Sequence, residues 1–340
     1  MADTTAFHSG IAKQSLNKPC YALKNKGESM KIAFQMDPIA SVDINADSSF
    51  RLAEEAQIRG HSLFYFSPDK LAFQEGTLIA RGHKMNVQRI ATNPAILSAE
   101  MTIPVADFDV VWLRQDPPFD MHYITTTHLL DLVHPKTLVV NDPFWVRNYP
   151  EKLLVLNFPN LAPPTTIARD IETIRAFKEK YQDIILKPLY GNGGTGVFRL
   201  DARDKNLSSL HELFINFSRE PLIAQKFLPE VSNGDKRVIM IEGKPVGGIN
   251  RIPPEGEIRS NMHVGGRPAK ASLSERDIEI CNAIGPLLRE KGQIFVGIDI
   301  IGNYLTEINL TSPTGIQELE RFDEINVAAM VWTAIEDRCR

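Results

Sequence analysis

Cysteine is scarce in this chain. Cys20, Cys281 and Cys339 are the three among 340 residues, and none sits in a CxxC or Cys/His spacing, which excludes a disulfide framework and a zinc site and suits a reducing cytoplasmic setting. Long apolar runs are also missing. No stretch approaches the roughly 20 residues that a bilayer-crossing helix needs, and residues 1–29 carry Lys13, Lys18, Lys24 and Lys26 without the apolar segment of a secretory signal. A membrane is therefore not an expected partner. Excess basic charge is absent as well. The formal net charge of -4 leaves no field to neutralise nucleic-acid phosphates, so any cation that serves a ligand has to be local.

The composition is otherwise globular, and the length suits two or three domains at roughly 150 residues each. The first strand-like run starts at Lys31, so residues 1–29 read as a flexible N-terminal extension and Met30 as an alternative start. From 30 to 150 the order is strand (31–35), a helix over Phe50, Leu52, Ala53, Ala56 and Ile58 capped at Asp47 or Ser48, strand (63–66), strand (109–113), helix (122–133) and strand (137–141). This alternation predicts an α/β domain on a parallel sheet. After Pro163-Pro164 come a helix (171–181), a strand (183–187), a glycine-rich loop and strands at 197–200 and 222–228. The last third holds strands at 237–241 and 245–249 around a Glu242-Gly243-Lys244 turn, a helix from Ser274 to about Glu290, and strands at 293–301 and 305–310. The polar passage from Pro253 to Pro268 is too long for an ordinary connection and is either a disordered linker or a lid.

Three groups of residues can carry chemistry. Lys187 ends a strand, and four glycines follow among Gly191-Asn192-Gly193-Gly194-Thr195-Gly196, where the missing Cβ lets backbone N–H groups approach phosphate oxygens. With neither the Gly-Lys-Ser/Thr of a Walker A loop nor a following helix, the segment is a flap over phosphates or a plain hairpin turn. Glu307 and Asn309 are two apart on a strand and share a face. A two-residue loop at Gly302-Asn303 would set Asp299 opposite Thr306, on the other face. A three-residue loop over 302–304 would set it opposite Glu307, and three oxygen-bearing side chains would then suit magnesium carrying nucleotide phosphates. The alternative is a solvent-facing acidic edge. Lastly, Lys236, Arg237, Arg251, Arg259 and Arg267 concentrate cations in an acidic chain, as phosphate or carboxylate oxygens require.

The stretches MDPI (36–39), DSSF (47–50), DPPFD (116–120), EKL (151–153), DIILKPL (183–189), GDKRV (234–238), IFVG-DIIG (294–302) and LTEIN-TSPT (305–314) occur in an order that resembles the bacterial glutathione synthetase branch of the ATP-grasp superfamily. The resemblance implies an ATP-grasp fold, with an N-terminal α/β domain (30–150), a central lid (151–230) and a C-terminal catalytic part (231–340). It also implies a ligase that phosphorylates the cysteinyl carboxylate of γ-glutamylcysteine with ATP and lets the glycine amine displace phosphate. By position, Asp299, Glu307 and Asn309 are implied to hold magnesium or manganese as two ions bridged by Glu307. Lys152 and Lys187 would contact the ATP phosphates, Gly191, Asn192, Gly193 and Gly194 would cover them, Gln225, Lys226, Phe227 and Leu228 would line the adenine, and Asp235 would lie near the nucleotide. Arg237, Arg251 and Gly266 are the implied catalytic residues. Arg114, Asn261, Gly265, Ser312, Pro313 and Thr314 are the implied substrate contacts. Such enzymes are usually homo-oligomers, tetramers or dimers.

Two stretches depart from the family pattern. The flap reads GNGGTGVFR in place of GMGGASIFR, and Gly265-Gly266-Arg267 runs into Pro268-Ala269-Lys270. Ligases that take glutamate or D-alanine are the neighbouring alternative, and a nucleotide-binding regulator without turnover is the alternative from another class. The intact Asp299, Glu307 and Asn309 set favours an enzyme.

Overall fold

In the computed structural model, which describes residues 27–340, three sheets form in sequence order. The first contains β1 (Lys31–Met36), β2 (Ser62–Phe66), β3 (Leu71–Gln74), β4 (Thr77–Val87), β5 (Ala95–Leu97), β6 (Met101–Pro104), β7 (Val110–Arg114) and β8 (Leu138–Val140). Its order is β3-β4-β2-β1-β7-β8, with β5 and β6 attached to β4. Strands β2, β1, β7 and β8 pair in parallel, and their continuous apolar runs are what a sheet covered on both faces requires. The helices α1 (Ser48–Ile58) and α2 (Met121–Asp131) start where Asp47 and Asp120 accept the backbone N–H of Phe50 and Tyr123.

One expectation is corrected here. The sheet is mixed, because β3, β5 and β6 all pair antiparallel with β4, which itself runs antiparallel to β2. Glu75 and Gly76, both at positive φ, turn β3 onto β4 within two residues, a hairpin signal that the parallel reading passed over. The extension expected over 1–29 lies outside the described residues for 1–26; of the three that follow, all exposed, Ser29 donates its Oγ–H to Gly60 O at 2.7 Å. The next residue is held too, with Met30 N donating to His61 Nδ1 at 3.3 Å.

After α3 (Pro143–Asn148) and α4 (Glu151–Leu154) the second sheet follows, with β9 (Thr165–Ala168), α5 (Ile171–Tyr181), β10 (Ile184–Pro188), β11 (Phe198–Leu200), α6 (Leu207–Phe217) and β12 (Leu222–Lys226). Its strands are antiparallel in the order β11-β10-β12-β9. It has a core of its own, built on Ile174, Ile184, Leu186, Leu200, Leu207 and Leu222. The third sheet, antiparallel in the order β15-β14-β13-β16-β17, is made of β13 (Asp235–Ile241), β14 (Lys244–Ile252), β15 (Arg267–Ala271), β16 (Phe295–Ile301) and β17 (Tyr304–Asn309). Between β15 and β16 runs α7 (Glu275–Glu290), which begins with a capping box of Ser274 and Asp277.

The chain then returns. Helix α8 (Ile316–Asp323) packs on β14, β15 and α1, and α9 (Val327–Arg338) on α1 and β13, where its Trp332 meets Trp112 of β7 edge-on at 5.9 Å and donates its indole N–H to Leu52 O at 2.8 Å. One continuous core therefore joins the first and third sheets. No helix among the described residues is long and apolar enough to cross a membrane.

Candidate active site

A cleft of about 1080 Å³ has residues of all three sheets on its walls. Its floor is the inner face of β13, β14, β16 and β17, where the pairing sets Arg237 beside Asp299, Arg251 beside Asp235 and Asp299 beside Glu307. The hairpin between β16 and β17 closes tightly on Gly302-Asn303, with Ile301 opposite Tyr304 and Ile300 opposite Leu305. From turn length alone Asp299 would face Thr306. A bulge at Thr306 adds the missing residue, so Asp299 faces Glu307 after all, and Thr306 Oγ1 donates to Asp299 O at 3.1 Å. The three-residue loop over 302–304 does not form, yet the convergence of Asp299 with Glu307 that it would have produced is present.

The charges on this floor are paired. Arg237 grips Asp299 through Nε at 2.5 Å and Nη2 at 3.0 Å, and Arg251 Nη2 lies 3.0 Å from Asp299 Oδ2 and 2.6 Å from Asp235 Oδ2. Burial alone would raise the Asp299 carboxyl, but Arg237 and Arg251 outweigh it and hold it well below the usual carboxylate range. Burial pushes Asp235 the other way, upward, against the attraction of Arg251. For Arg251, burial is outweighed by Asp235 and Asp299, so its guanidinium is raised. Lys152 Nζ pairs with Glu307 Oε1 at 2.8 Å and also donates to Gly191 O; in spite of burial, Glu307, with Glu151 and Asp299, raises its ammonium.

The opposite wall comes from the second sheet. Lys187 Nζ donates to Gln225 Oε1 at 3.2 Å, and burial, with Lys152 nearby, lowers the lysine to about 8. The 191–196 loop spans the antiparallel pair β10 and β11 and takes positive φ at Gly193, Gly194 and Gly196. A Cβ on Gly194 would come 2.9 Å from Asn261 Oδ1, so this loop abuts the 253–266 segment. Phe227 lines the cleft with the Arg199 guanidinium 3.9 Å from its ring centroid.

The 253–266 segment is folded rather than extended. Ser260, buried, donates to Asp235 Oδ2 at 2.9 Å, and Gly266 N donates to Asn261 O at 3.1 Å. Arg114, Ser312, Pro313 and Thr314 also face the cleft, as do Gln225, Lys226, Leu228 and Asn192. Gly265 and Gly266 are not among the lining residues; they close the turn beside the cleft, Gly265 N donating to Met262 O at 3.1 Å. Sequence reasoning missed Asp47, Ser49, Asp116, Glu151 and Thr311, which also line it. Ser49 accepts from Arg114 Nε at 2.8 Å, and the buried Arg114 keeps Nη1 without a partner. All five missed residues lie inside the motifs DSSF, DPPFD, EKL and TSPT, whose order points to a family but not to the role of each side chain.

The donor set fits a nucleotide-borne cation. Among the described residues no cluster of three His, Cys, Asp or Glu side chains could cage a metal alone. Two carboxylates and one amide on a single sheet face leave the other positions to phosphate and water, the usual way of holding magnesium with ATP. Asn309 Nδ2 already donates to Asp299 Oδ2 at 3.3 Å.

The family described as prokaryotic glutathione synthetase, N-terminal domain, matches residues 30–147, and the prokaryotic glutathione synthetase ATP-grasp domain matches residues 151–324. The chain belongs to the prokaryotic glutathione synthetase family. The curated glutathione synthetase of Brucella melitensis is 55% identical over 309 residues, covering 91% of this chain and 99% of that protein. The one from Yersinia pestis is 44% identical over 312 residues, covering 91% and 98%. Among solved structures, D-cycloserine synthetase DcsG aligns with a TM-score of 0.65 at 14% identity over 91% of this chain and all of that one. D-alanyl-alanine synthetase A from Vibrio cholerae aligns at 0.60 and 14% identity, covering 92% and 98%. These two likenesses show the fold alone, and the family model matched over 151–324 identifies it as ATP-grasp. Use of ATP and a divalent metal goes with membership of this glutathione synthetase family.

Proposed function

We propose that the chain ligates γ-glutamylcysteine to glycine at the expense of ATP, forming glutathione, ADP and phosphate. What carries the reading is the paired floor of Arg237, Arg251, Asp299 and Glu307, set beneath two lysines and closed by two loops in a chain that matches glutathione synthetases along nearly its whole length. A carboxylate is a poor acyl donor. Its oxygen attacks the γ-phosphorus of ATP, the bond to ADP breaks, and the acyl phosphate so formed has a good leaving group. The glycine amine then attacks the acyl carbon and phosphate departs, its proton passing to solvent.

Lys152 and Lys187 bind the phosphates, and binding draws Lys152 off Glu307. Asp299, Glu307 and Asn309 would hold magnesium, one ion or two, which would supply charge neutralisation on the phosphates; manganese would accept the same oxygen donors. Arg237 and Arg251 offset charge on the transferring phosphoryl group and on the tetrahedral centre. Gln225, Lys226, Phe227 and Leu228 receive the adenine, while Arg114, Asn261 and 312–314 hold the dipeptide and the acceptor. The 191–196 and 253–266 loops exclude water, which would otherwise hydrolyse the acyl phosphate.

The test is phosphate release. It should need ATP, γ-glutamylcysteine and glycine together, and release that is equal with either substrate alone would overturn the ligase. Preference for glutamate or D-alanine over glycine would reassign the acceptor. We also place the enzyme in the cytoplasm, in keeping with its buried thiol Cys281, and as a homo-oligomer, dimer or tetramer, which sedimentation would measure.

A further inference from the structure

We propose that Glu151 is a positioning residue that fixes the donor-substrate segment 312–314, an inference that rests on the ligase reading above. Glu151 Oε1 accepts from Leu310 N at 3.0 Å, Thr311 N at 3.1 Å and Thr311 Oγ1 at 2.8 Å. At this point the chain has just left β17, so these two N–H groups have no strand partner, and the carboxylate takes the place of the missing ladder. From the other side Asn141 Nδ2 donates to Leu310 O at 2.9 Å and to Phe295 O at 2.8 Å. The next anchor downstream is Thr314 O, which accepts from Arg237 Nη1 at 3.4 Å. Ser312 and Pro313, both facing the cleft, are suspended between these anchors.

The neighbouring residue completes the design. Lys152 pairs with Glu307 at 2.8 Å, so two successive residues of α4 hold the phosphate-side carboxylate and the substrate segment in one frame. A carboxylate here stands near Glu307, and burial together with that like charge pushes the Glu151 carboxyl up. The N–H and O–H bonds that Glu151 accepts are, on its ionised carboxylate, charge-assisted and stronger than neutral ones. Glu151 touches no reacting atom in this role. It acts through the backbone of 310–311.

The experiment separates positioning from general stability. In Glu151→Ala the KM for γ-glutamylcysteine should rise about tenfold, as expected for losing charge-assisted bonds, while the KM for ATP stays within about twofold. Glu151→Gln keeps an acceptor oxygen and should bring the dipeptide KM back to within about threefold of wild type. Thr311→Val removes one of the three bonds and should give a smaller rise in the same KM, which decides the matter should Glu151→Ala not fold. A folded Ala variant with unchanged dipeptide KM would overturn the assignment, as would parallel rises for ATP and dipeptide, a Gln variant as impaired as Ala, or an unaffected Thr311→Val. Wild-type enzyme in the same assay keeps the two readings apart: no turnover with γ-glutamylcysteine and glycine sinks the ligase, whereas an active wild type with an unaffected Ala variant sinks Glu151 alone.

Discussion

Gly266→Ala should disable the enzyme without unfolding it. A Cβ built at Gly266 lies 1.9 Å from Ser260 O, 2.6 Å from Ser260 C and 3.0 Å from Asn261 O, all backbone atoms that cannot rotate away. Gly266 is not at positive φ, so the cost comes from space alone. Reaching an ordinary 3.4 Å contact moves the 260–261 backbone by about 1.5 Å. That motion breaks the 2.9 Å bond from Ser260 to Asp235 and removes a partner from the carboxylate that steadies Arg251. A misplacement of about 1 Å near reacting groups costs on the order of 100-fold, so kcat/KM for ADP release should fall by about that factor, or about 2.7 kcal/mol. The melting temperature should hardly move, because the segment contributes nothing to the three cores. Gly256→Ala is the control. Its φ is +78° with nothing within 4 Å, so it adds backbone strain without a clash. A Gly266→Ala enzyme within threefold of wild type, or a Gly256→Ala enzyme equally damaged, would refute the reasoning.

Glu307→Gln should keep the fold and lose about 100-fold in turnover, since it keeps the shape but removes the charge facing Lys152 and the phosphates; unchanged turnover at saturating magnesium would sink that role. For Lys187 the pKa near 8 lies below its ordinary 10.5, so the unfolded chain binds more protons between these values and the stability of the ligand-free protein should rise with pH across that window. Nucleotide binding needs the ammonium, so ATP affinity should move the other way, weakening as pH rises through about 8. A titration of Kd should lose that slope in Lys187→Arg, and persistence of the slope would assign it to another group. ATP, magnesium and γ-glutamylcysteine together should slow proteolysis at Arg259 and Arg267. Replacing 253–266 by a short Gly/Ser linker should leave ATP binding intact and raise phosphate release relative to peptide formed; tight coupling in that variant would make the segment a passive loop.

Local chemistry is legible in the chain before any folding. Asp47 and Ser274 announce helix starts because a side-chain oxygen beside a free N–H is a local bargain between neighbours, and Lys187 followed by glycines announces a loop because Cβ-free backbone is a property of single residues. The order of motifs likewise identified the family. What only the tertiary structure decided are the relations between distant residues. A single bulge at Thr306 turned a two-residue hairpin into one that faces Asp299 toward Glu307, and no spacing rule reports an unpaired residue in advance. Arg237 and Asp299 are 62 positions apart and meet because β13 and β16 are adjacent, though neither follows the other in sequence. Glu151 binds Leu310 and Thr311 across some 160 positions. Periodicity describes how a residue stands to its own helix or strand; the pairing of remote charges depends on sheet order and register, which the whole chain sets together when it buries its cores.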